Sequence, residues 1–110
     1  MTQEQEKNSL LMAAFMGLPK VSEFFDFSNN PKVRNYQLIT YAKYHTSYEW
    51  LYPVWHKYRD YNRGAMLHKV ELIHMANYRR IEFALLNEHI LKAFYELSRG
   101  IEFLNSIKND

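Results

Sequence analysis

The chain has 110 residues, of which 47% are hydrophobic and 24% are charged, and its formal net charge is +2. These values are typical of one globular domain covering 1–110, and they exclude a disordered chain, which has fewer apolar residues and a larger net charge. The absence of cysteine excludes disulfides and thiolate sites, and the polar, acidic start at 2–7 is unlike a signal peptide, so we expect a soluble cytoplasmic protein without membrane association.

The first predicted helix covers about 3–16. Thr2 and Gln5 have the spacing of a capping box, in which each side chain accepts a hydrogen bond from the backbone N–H of the other residue. Apolar residues then recur at helical spacing as far as Leu18. Gly17 can adopt the left-handed conformation that ends many helices, and Pro19 prevents the helix from continuing.

A strand is predicted at 36–42, where the sequence YQLITYA is rich in β-branched and aromatic residues. The preceding stretch 28–31, which reads SNNP, has the composition of a turn. The three phenylalanines between 24 and 27 favour burial of their segment, but the pattern of 20–34 predicts no particular element.

The second predicted helix covers about 47–60. Thr46 and Glu49 form another capping-box pattern at its start. An apolar stripe follows at helical spacing and faces the predicted core; it consists of Leu51, Val54, Trp55 and Tyr58. Pro53 lies inside this helix and has no N–H to donate to the carbonyl of Glu49, so we expect a kink or a distorted first turn.

Residues 66–86 fit two structures. Ile81, Phe83 and Leu85 alternate with other residues as in a strand, and 76–78 could form a hairpin turn. The same stretch is dominated by Met, Leu, Ala, Glu and Lys, which favour a helix. We predict the hairpin, so that the expected fold class is α+β: three helices with a small antiparallel sheet that contains 36–42 and 80–85.

The last predicted helix covers about 88–106, with Asn87 as its N-cap. Its apolar residues repeat at intervals of four and three, as in a heptad seam; they are Ile90, Phe94, Leu97, Ile101 and Leu104. We expect this seam, from Phe94 onward, to pack against the apolar stripe of the second helix. Gly100 costs about 1 kcal/mol relative to Ala in mid-helix, so it indicates either the close approach of another backbone or a tolerated defect.

The segment Tyr44–Lys57, which reads YHTSYEWLYPVWHK, resembles a segment of small uncharacterised proteins from bacteriophages and bacterial mobile elements. The shared pattern is Y-H-T-S-x-x-W-L-x-P-V. The resemblance implies a domain of the phage α–β–α sandwich type, with strands between its last two helices, and it assigns no catalytic residue. The chain departs from the family pattern at Tyr48, Tyr52, Trp55 and His56.

Catalytic, cofactor-binding and metal-binding motifs are missing from the sequence. The five histidines lack the tight spacing of a zinc site. His56 and Asp60 are four apart on a helix and could share a metal, and His68 and His74 would share one face of a strand. The run 45–47 combines His, Thr and Ser, but these residues are explained by the start of the helix. Three glycines leave no phosphate-binding loop. We therefore expect a protein that is not an enzyme and has no cofactor or metal.

Aromatic residues are concentrated at 36–61, which holds seven of the nine tyrosines and both tryptophans. They could form core or a contact surface, because Tyr, Trp and Arg are enriched at binding hot spots. Tyr48 and Tyr52 are the residues least in phase with the apolar stripe, and Arg59 and Arg63 could flank them as a charged rim. We predict an interface centred on these residues; in the alternative, both rings lie under the phenylalanines of 24–27.

The function that this pattern favours is binding. We predict a non-catalytic phage or mobile-element accessory protein that acts on another macromolecule, such as a host defence protein that it inhibits; the partner would be another protein or a second copy of the chain. The alternative is a nucleic-acid-binding accessory protein that uses basic residues near the predicted turns; these are Lys57, Arg59, Arg63, Arg79 and Arg80. A net charge of +2 does not by itself indicate nucleic-acid binding.

Overall fold

The computed structural model describes residues 1–28, 32–65, 71–87 and 89–108, and of 62–65, 71–76 and 107–108 it describes the backbone only. The elements are α1 (Gln3–Phe15), β1 (Lys20–Val21), β2 (Phe24–Asp26), β3 (Tyr36–Leu38), a 3₁₀ turn (Ile39–Tyr41), α2 (Tyr48–Ala65), α3 (Glu71–Leu86) and α4 (Ile90–Lys108). The strands form one antiparallel sheet in the order β1-β2-β3. The predicted α+β class is confirmed.

The number of helices and the position of the sheet differ from the prediction. The described part of the chain contains four helices, and the predicted hairpin is wrong because 71–86 form the single helix α3. The predicted strand 80–85 therefore belongs to a helix, whereas 66–70 lie outside the described residues. Between α2 and α4, the described residues form α3 and not the strands that the family resemblance implied.

The burial of α3 shows why the alternating pattern was misleading. Ile81 and Ala84, three residues apart, are fully buried, whereas Phe83 is 61% exposed. A strand with one buried face would have placed Ile81 and Phe83 on the same side. The helix-forming composition and the spacing of three account for α3, and the exposed Phe83 is a surface residue.

The start of α1 follows the predicted capping box. The hydroxyl of Thr2 accepts a hydrogen bond from the N–H of Gln5 at 3.1 Å, and the side-chain oxygen of Gln5 accepts one from the N–H of Thr2 at 3.0 Å. After the helix ends, Gly17 adopts a φ of +66°, in the left-handed region that the sequence predicted. The chain then turns into β1.

The sheet is held by the carboxylate of Asp26, which is almost fully buried at the end of β2. The carboxylate accepts hydrogen bonds from the N–H and hydroxyl of Ser28, from the Arg34 guanidinium at 2.9 Å and from the N–H of Asn35. These donors, with Ser28 the strongest, hold the pKa of Asp26 well below its ordinary value. Asp26 thereby fixes the connection between β2 and β3, where it pairs with Tyr36.

Helix α2 begins at Tyr48 and is continuous through Pro53 to Ala65, so it starts one residue later and ends five residues later than predicted. The carbonyl of Ser47 accepts hydrogen bonds from the N–H groups of Trp50 and Leu51 at the helix start. The apolar stripe of the helix is buried as the sequence predicted.

The core forms where α4 packs on α2, α3 and α1. The seam residues Phe94, Leu97, Ile101 and Leu104 are buried in one cluster with the stripe of α2, as predicted. This packing leaves the opposite faces of α2 and α4 at the surface, and α2 carries the aromatic residues that were predicted to bind.

Candidate functional site

The predicted interface residues lie on one face of α2. Tyr48, Tyr52, Arg59 and Arg63 all belong to this helix, and at 3.6 residues per turn they fall within an arc of about 60°. His56 lies between Tyr52 and Arg59 along the chain, about 40° around the helix axis from Tyr52. We refer to Tyr48, Tyr52 and His56 as the tyrosine face, because the structure describes these three side chains in contact.

The two tyrosine rings of this face are stacked. Their centroids are 5.5 Å apart and their planes differ by 24°. Tyr52 is 44% exposed, whereas Tyr48 is half-buried. Tyr48 therefore contacts the ring of Tyr52 from the preceding turn of the helix, and Tyr52 presents the larger fraction of its surface to solvent.

His56 extends the tyrosine face by one further turn. Its exposed ring lies 6.4 Å from that of Tyr52, with the planes tilted by 42°. Sequence reasoning considered His56 only as a metal ligand and missed its place beside the tyrosines. The signal was available, because residues four apart on a helix are neighbours.

The structure describes the side chain of Arg59 but not that of Arg63. Arg59 is half-buried, and its Nε lies 3.9 Å from the Oδ1 atom of Asp60. Arg59 is therefore paired with an adjacent carboxylate. It does not form a separate positive charge at the edge of the tyrosine face. The side chain of Arg63 lies outside the described residues, and only its place on the helix is known.

The phenylalanines that could have covered the tyrosines lie elsewhere. The ring of Phe27 is 5.2 Å from that of Trp50 and 6.0 Å from that of Tyr41. Phe25 is buried beside Phe27. These contacts lie on the side of α2 that carries Trp50, and no ring of 24–27 contacts Tyr52 among the described residues.

The basic residues of the alternative hypothesis are divided between different surfaces. Lys57 donates a hydrogen bond to the carbonyl of Phe15 at 2.6 Å. Arg79 and Arg80 instead line a groove of about 330 Å³ between α3 and α4, together with Lys92. Its lining also includes Phe83 and Glu96, so the groove combines three cations with one carboxylate and one exposed ring.

The histidines do not assemble into a catalytic or metal centre in the described part of the chain. His45 lies on the core, with its ring 5.9 Å from that of Phe94 and its Nδ1 buried without a hydrogen-bond partner among the described residues. Burial, with a smaller effect of the positive N-terminus, lowers the pKa of His45. Within the residues described, no three His, Asp or Glu side chains come close enough to hold a metal. His68 and the side chain of His74 fall outside those residues.

Among the helices as far as they are described, none has both the length and the apolar character needed to cross a membrane. Comparison of the chain with protein-family models, with curated proteins and with solved structures finds no match.

Proposed function

We propose that this chain is a non-catalytic accessory protein that binds another protein through the tyrosine face of α2. The observation that supports the proposal is the stacked pair of Tyr48 and Tyr52, with Tyr52 44% exposed on a regular helix. The resemblance of Tyr44–Lys57 to small phage proteins supports a phage or mobile-element context. In that context, a host defence protein is the partner that we propose to test first.

The physical basis is the low cost of ordering these side chains. A tyrosine ring offers a large apolar area with one hydroxyl at its tip, and it has only two side-chain torsions to fix. Stacking on Tyr48 and the neighbouring His56 already restricts the ring of Tyr52. Binding residues that are ordered in advance lose less entropy when a partner arrives.

Site-specific crosslinking tests this proposal. A photoreactive phenylalanine analogue at position 52, in cells that naturally produce the protein, is expected to give one discrete covalent adduct with a different protein. Tyr61 provides the matched control, because it lies on the same helix with a similar exposure of 38%, but points about 180° away from Tyr52 by helical phase.

The outcomes of crosslinking separate the possible partners. An adduct from position 52 but not from position 61 supports the tyrosine face. An adduct at twice 13.3 kDa, the mass of two identical chains, would show that the partner is a second copy of this protein and not a different protein. Equal adducts from both positions, or none from position 52, would contradict the proposal.

A second candidate function is binding of single-stranded nucleic acid in the α3–α4 groove. The supporting observation is that Arg79, Arg80 and Lys92 line one groove with the exposed ring of Phe83. Cations can contact phosphates, and an exposed aromatic ring can stack on a base.

Salt dependence tests this second candidate. Each neutralised phosphate of a single strand contributes a slope of about −0.7 to a plot of log affinity against log salt. Three cations predict a slope of about −2, and R80Q should reduce its magnitude by about 0.7. Affinity that does not change with salt, or a slope that R80Q leaves unaltered, would contradict this function.

A further inference from the structure

A separate cavity of about 450 Å³ opens beside the first turns of α2. Its aromatic lining consists of Phe27, Tyr44 and Trp50, and the loop after α1 adds Met16 and Leu18. Among the residues that the structure describes, Glu49 is the only charged one in its lining. Trp50 lies about 160° from Tyr52 around the helix axis, so this cavity and the tyrosine face are different surfaces.

The rings of the cavity surround Trp50 at steep angles. The centroid of Trp50 lies 5.3 Å from that of Tyr44 at an interplanar angle of 85°, and 5.2 Å from that of Phe27 at 51°. Tyr41, which is exposed, lies at the edge of this group, 5.9 Å from Trp50 at 64°. Steep contacts of this kind set the edge of one ring against a face of the next, so each contact covers only one face of the second ring, and aromatic faces carry the negative part of the ring quadrupole.

The electrostatic character of the cavity favours a positive ligand. Glu49 adds a carboxylate to the negative ring faces, and aromatic faces attract cations within about 6 Å. Burial raises the pKa of Tyr44 to about 12, so this phenol is neutral at physiological pH and the charge comes from Glu49. The nearby Lys57 does not supply the cation, because its Nζ is bonded to the carbonyl of Phe15 and lies over the Phe15 ring at 5.2 Å.

The apolar part of the lining restricts which cation fits. A bare ammonium carries three N–H donors and a guanidinium carries five, and donors that are buried without acceptors are costly. Met16, Leu18 and Phe27 offer no side-chain oxygen. A cation whose charge is covered by methyl groups needs few acceptors or none, and it keeps its attraction to the rings.

We propose that this cavity binds a quaternary or methylated ammonium group, held by Trp50 and Phe27 with Glu49 at the rim. Tyr44, which is only 4% exposed, supports the ring of Trp50 from the core. Two sources carry this chemistry: a methylated lysine on another protein, and a small free amine such as choline. This binding is independent of the tyrosine face, so either proposal can fail without the other.

Nuclear magnetic resonance of the two tryptophan indole N–H groups tests the cavity. Choline and a trimethyllysine peptide are titrated separately, and 3,3-dimethylbutanol, which has the shape of choline without its charge, is the neutral control. The cations should shift the signal of Trp50 but not that of Trp55. W50F identifies the Trp50 signal by its loss, and W55F should leave the response to the cations in place.

The result expected is a saturable shift with a Kd for the cations about two- to fivefold lower than for the neutral control, the ratio that corresponds to cation–π energies at exposed sites. E49Q should weaken cation binding about threefold. The tighter of the two cationic ligands identifies the source. Equal binding of the neutral control, no effect of E49Q, or no response at about 10 mM, well above a Kd of 1 mM, would overturn the proposal.

Discussion

Gly100 lies in the middle of α4, where the ring of Tyr58 from α2 packs directly against the backbone. A Cβ at this position would lie 2.6 Å from the hydroxyl oxygen of Tyr58 and 2.8 Å from two ring carbons. The sequence allowed either a close approach or a tolerated defect at Gly100. The structure shows a close approach, although a side chain and not a backbone makes it.

G100A is therefore expected to destabilise the protein even though Ala favours helices. The gain in helix propensity is about 1 kcal/mol, and overpacking in a buried site costs about 1–3 kcal/mol. The net loss of unfolding free energy should lie between about 0 and 2 kcal/mol, measured by urea denaturation. The exposed E102A on the same helix should change stability by less than about 0.5 kcal/mol. A G100A variant that is more stable than the parent would show that Tyr58 moves aside freely.

His45 gives the folded protein a dependence on pH. Burial lowers its pKa in the folded state, so the fold favours the neutral ring. For such a group, the stability contribution is complete above the unfolded pKa of about 6.5, and it is lost as the pH falls below that value toward the folded pKa. We expect the unfolding free energy to decrease as the pH falls below about 6.5.

Replacing His45 by Gln should remove part of this decrease, because Gln does not titrate. The exposed His56 supplies the control: H56Q should leave the same decrease in place. Urea denaturation at several pH values measures both variants. If H45Q and the parent lose stability equally over this range, His45 is not the group responsible.

At the scale of the element, α4 provides the central contact surface of the core. Leu97 on this helix is fully buried, whereas Leu91 is 44% exposed. L97A should lower the unfolding free energy by about 2–5 kcal/mol, because it leaves a cavity among well-packed side chains. L91A should cost less than about 1 kcal/mol. A loss under about 1 kcal/mol for L97A would contradict the packing of α4 against α2.

Helices with strong local signals could be predicted from the sequence. The capping box of Thr2 and Gln5, the stop at Gly17 and the seam of α4 each depend on residues a few positions apart. The sheet could not be predicted in the same way, because β1, β2 and β3 have only two or three residues each. Its stability depends on Asp26, whose donors lie as far away as Asn35, and such contacts leave no periodic pattern.

Helix α3 was missed for a different reason. The alternation at 81–85 resembles a strand over five residues, but the whole segment 71–86 has the composition of a helix. The alternation covers only five residues, whereas the helix-forming composition extends over the 16 residues of α3. The burial of Ile81 and Ala84 then follows the helical period.

At the scale of the whole molecule, the candidate binding surfaces lie on different parts of the fold. The tyrosine face is on α2, the aromatic cavity lies on another side of α2, and the basic groove lies between α3 and α4. The net charge of +2 gives no strong overall field, so local chemistry must decide which partner binds. Variants at one surface should therefore leave binding at the others unchanged.

The tyrosine face was predictable in part, and the cavity was not. Helical phase alone separated Tyr48 and Tyr52 from the buried stripe. The half-buried position of Tyr48 and the ion pair of Arg59 with Asp60 depend on packing that the sequence does not express. The cavity brings Phe27 to Trp50 across 23 positions of the chain, and only the folded structure shows this contact.

The dissociation constant of the partner recovered by crosslinking at position 52 tests the central claim most directly. It is measured by calorimetry for the parent, Y52S and the control Y61S, with the melting temperature of each. Y52S should raise the Kd at least about 30-fold, the loss typical of a hot-spot residue, and Y61S should change it less than about threefold. Both variants should melt near the parent. Equal losses of affinity in the two variants, or a Y52S variant that unfolds, would contradict the claim that the tyrosine face is the binding surface.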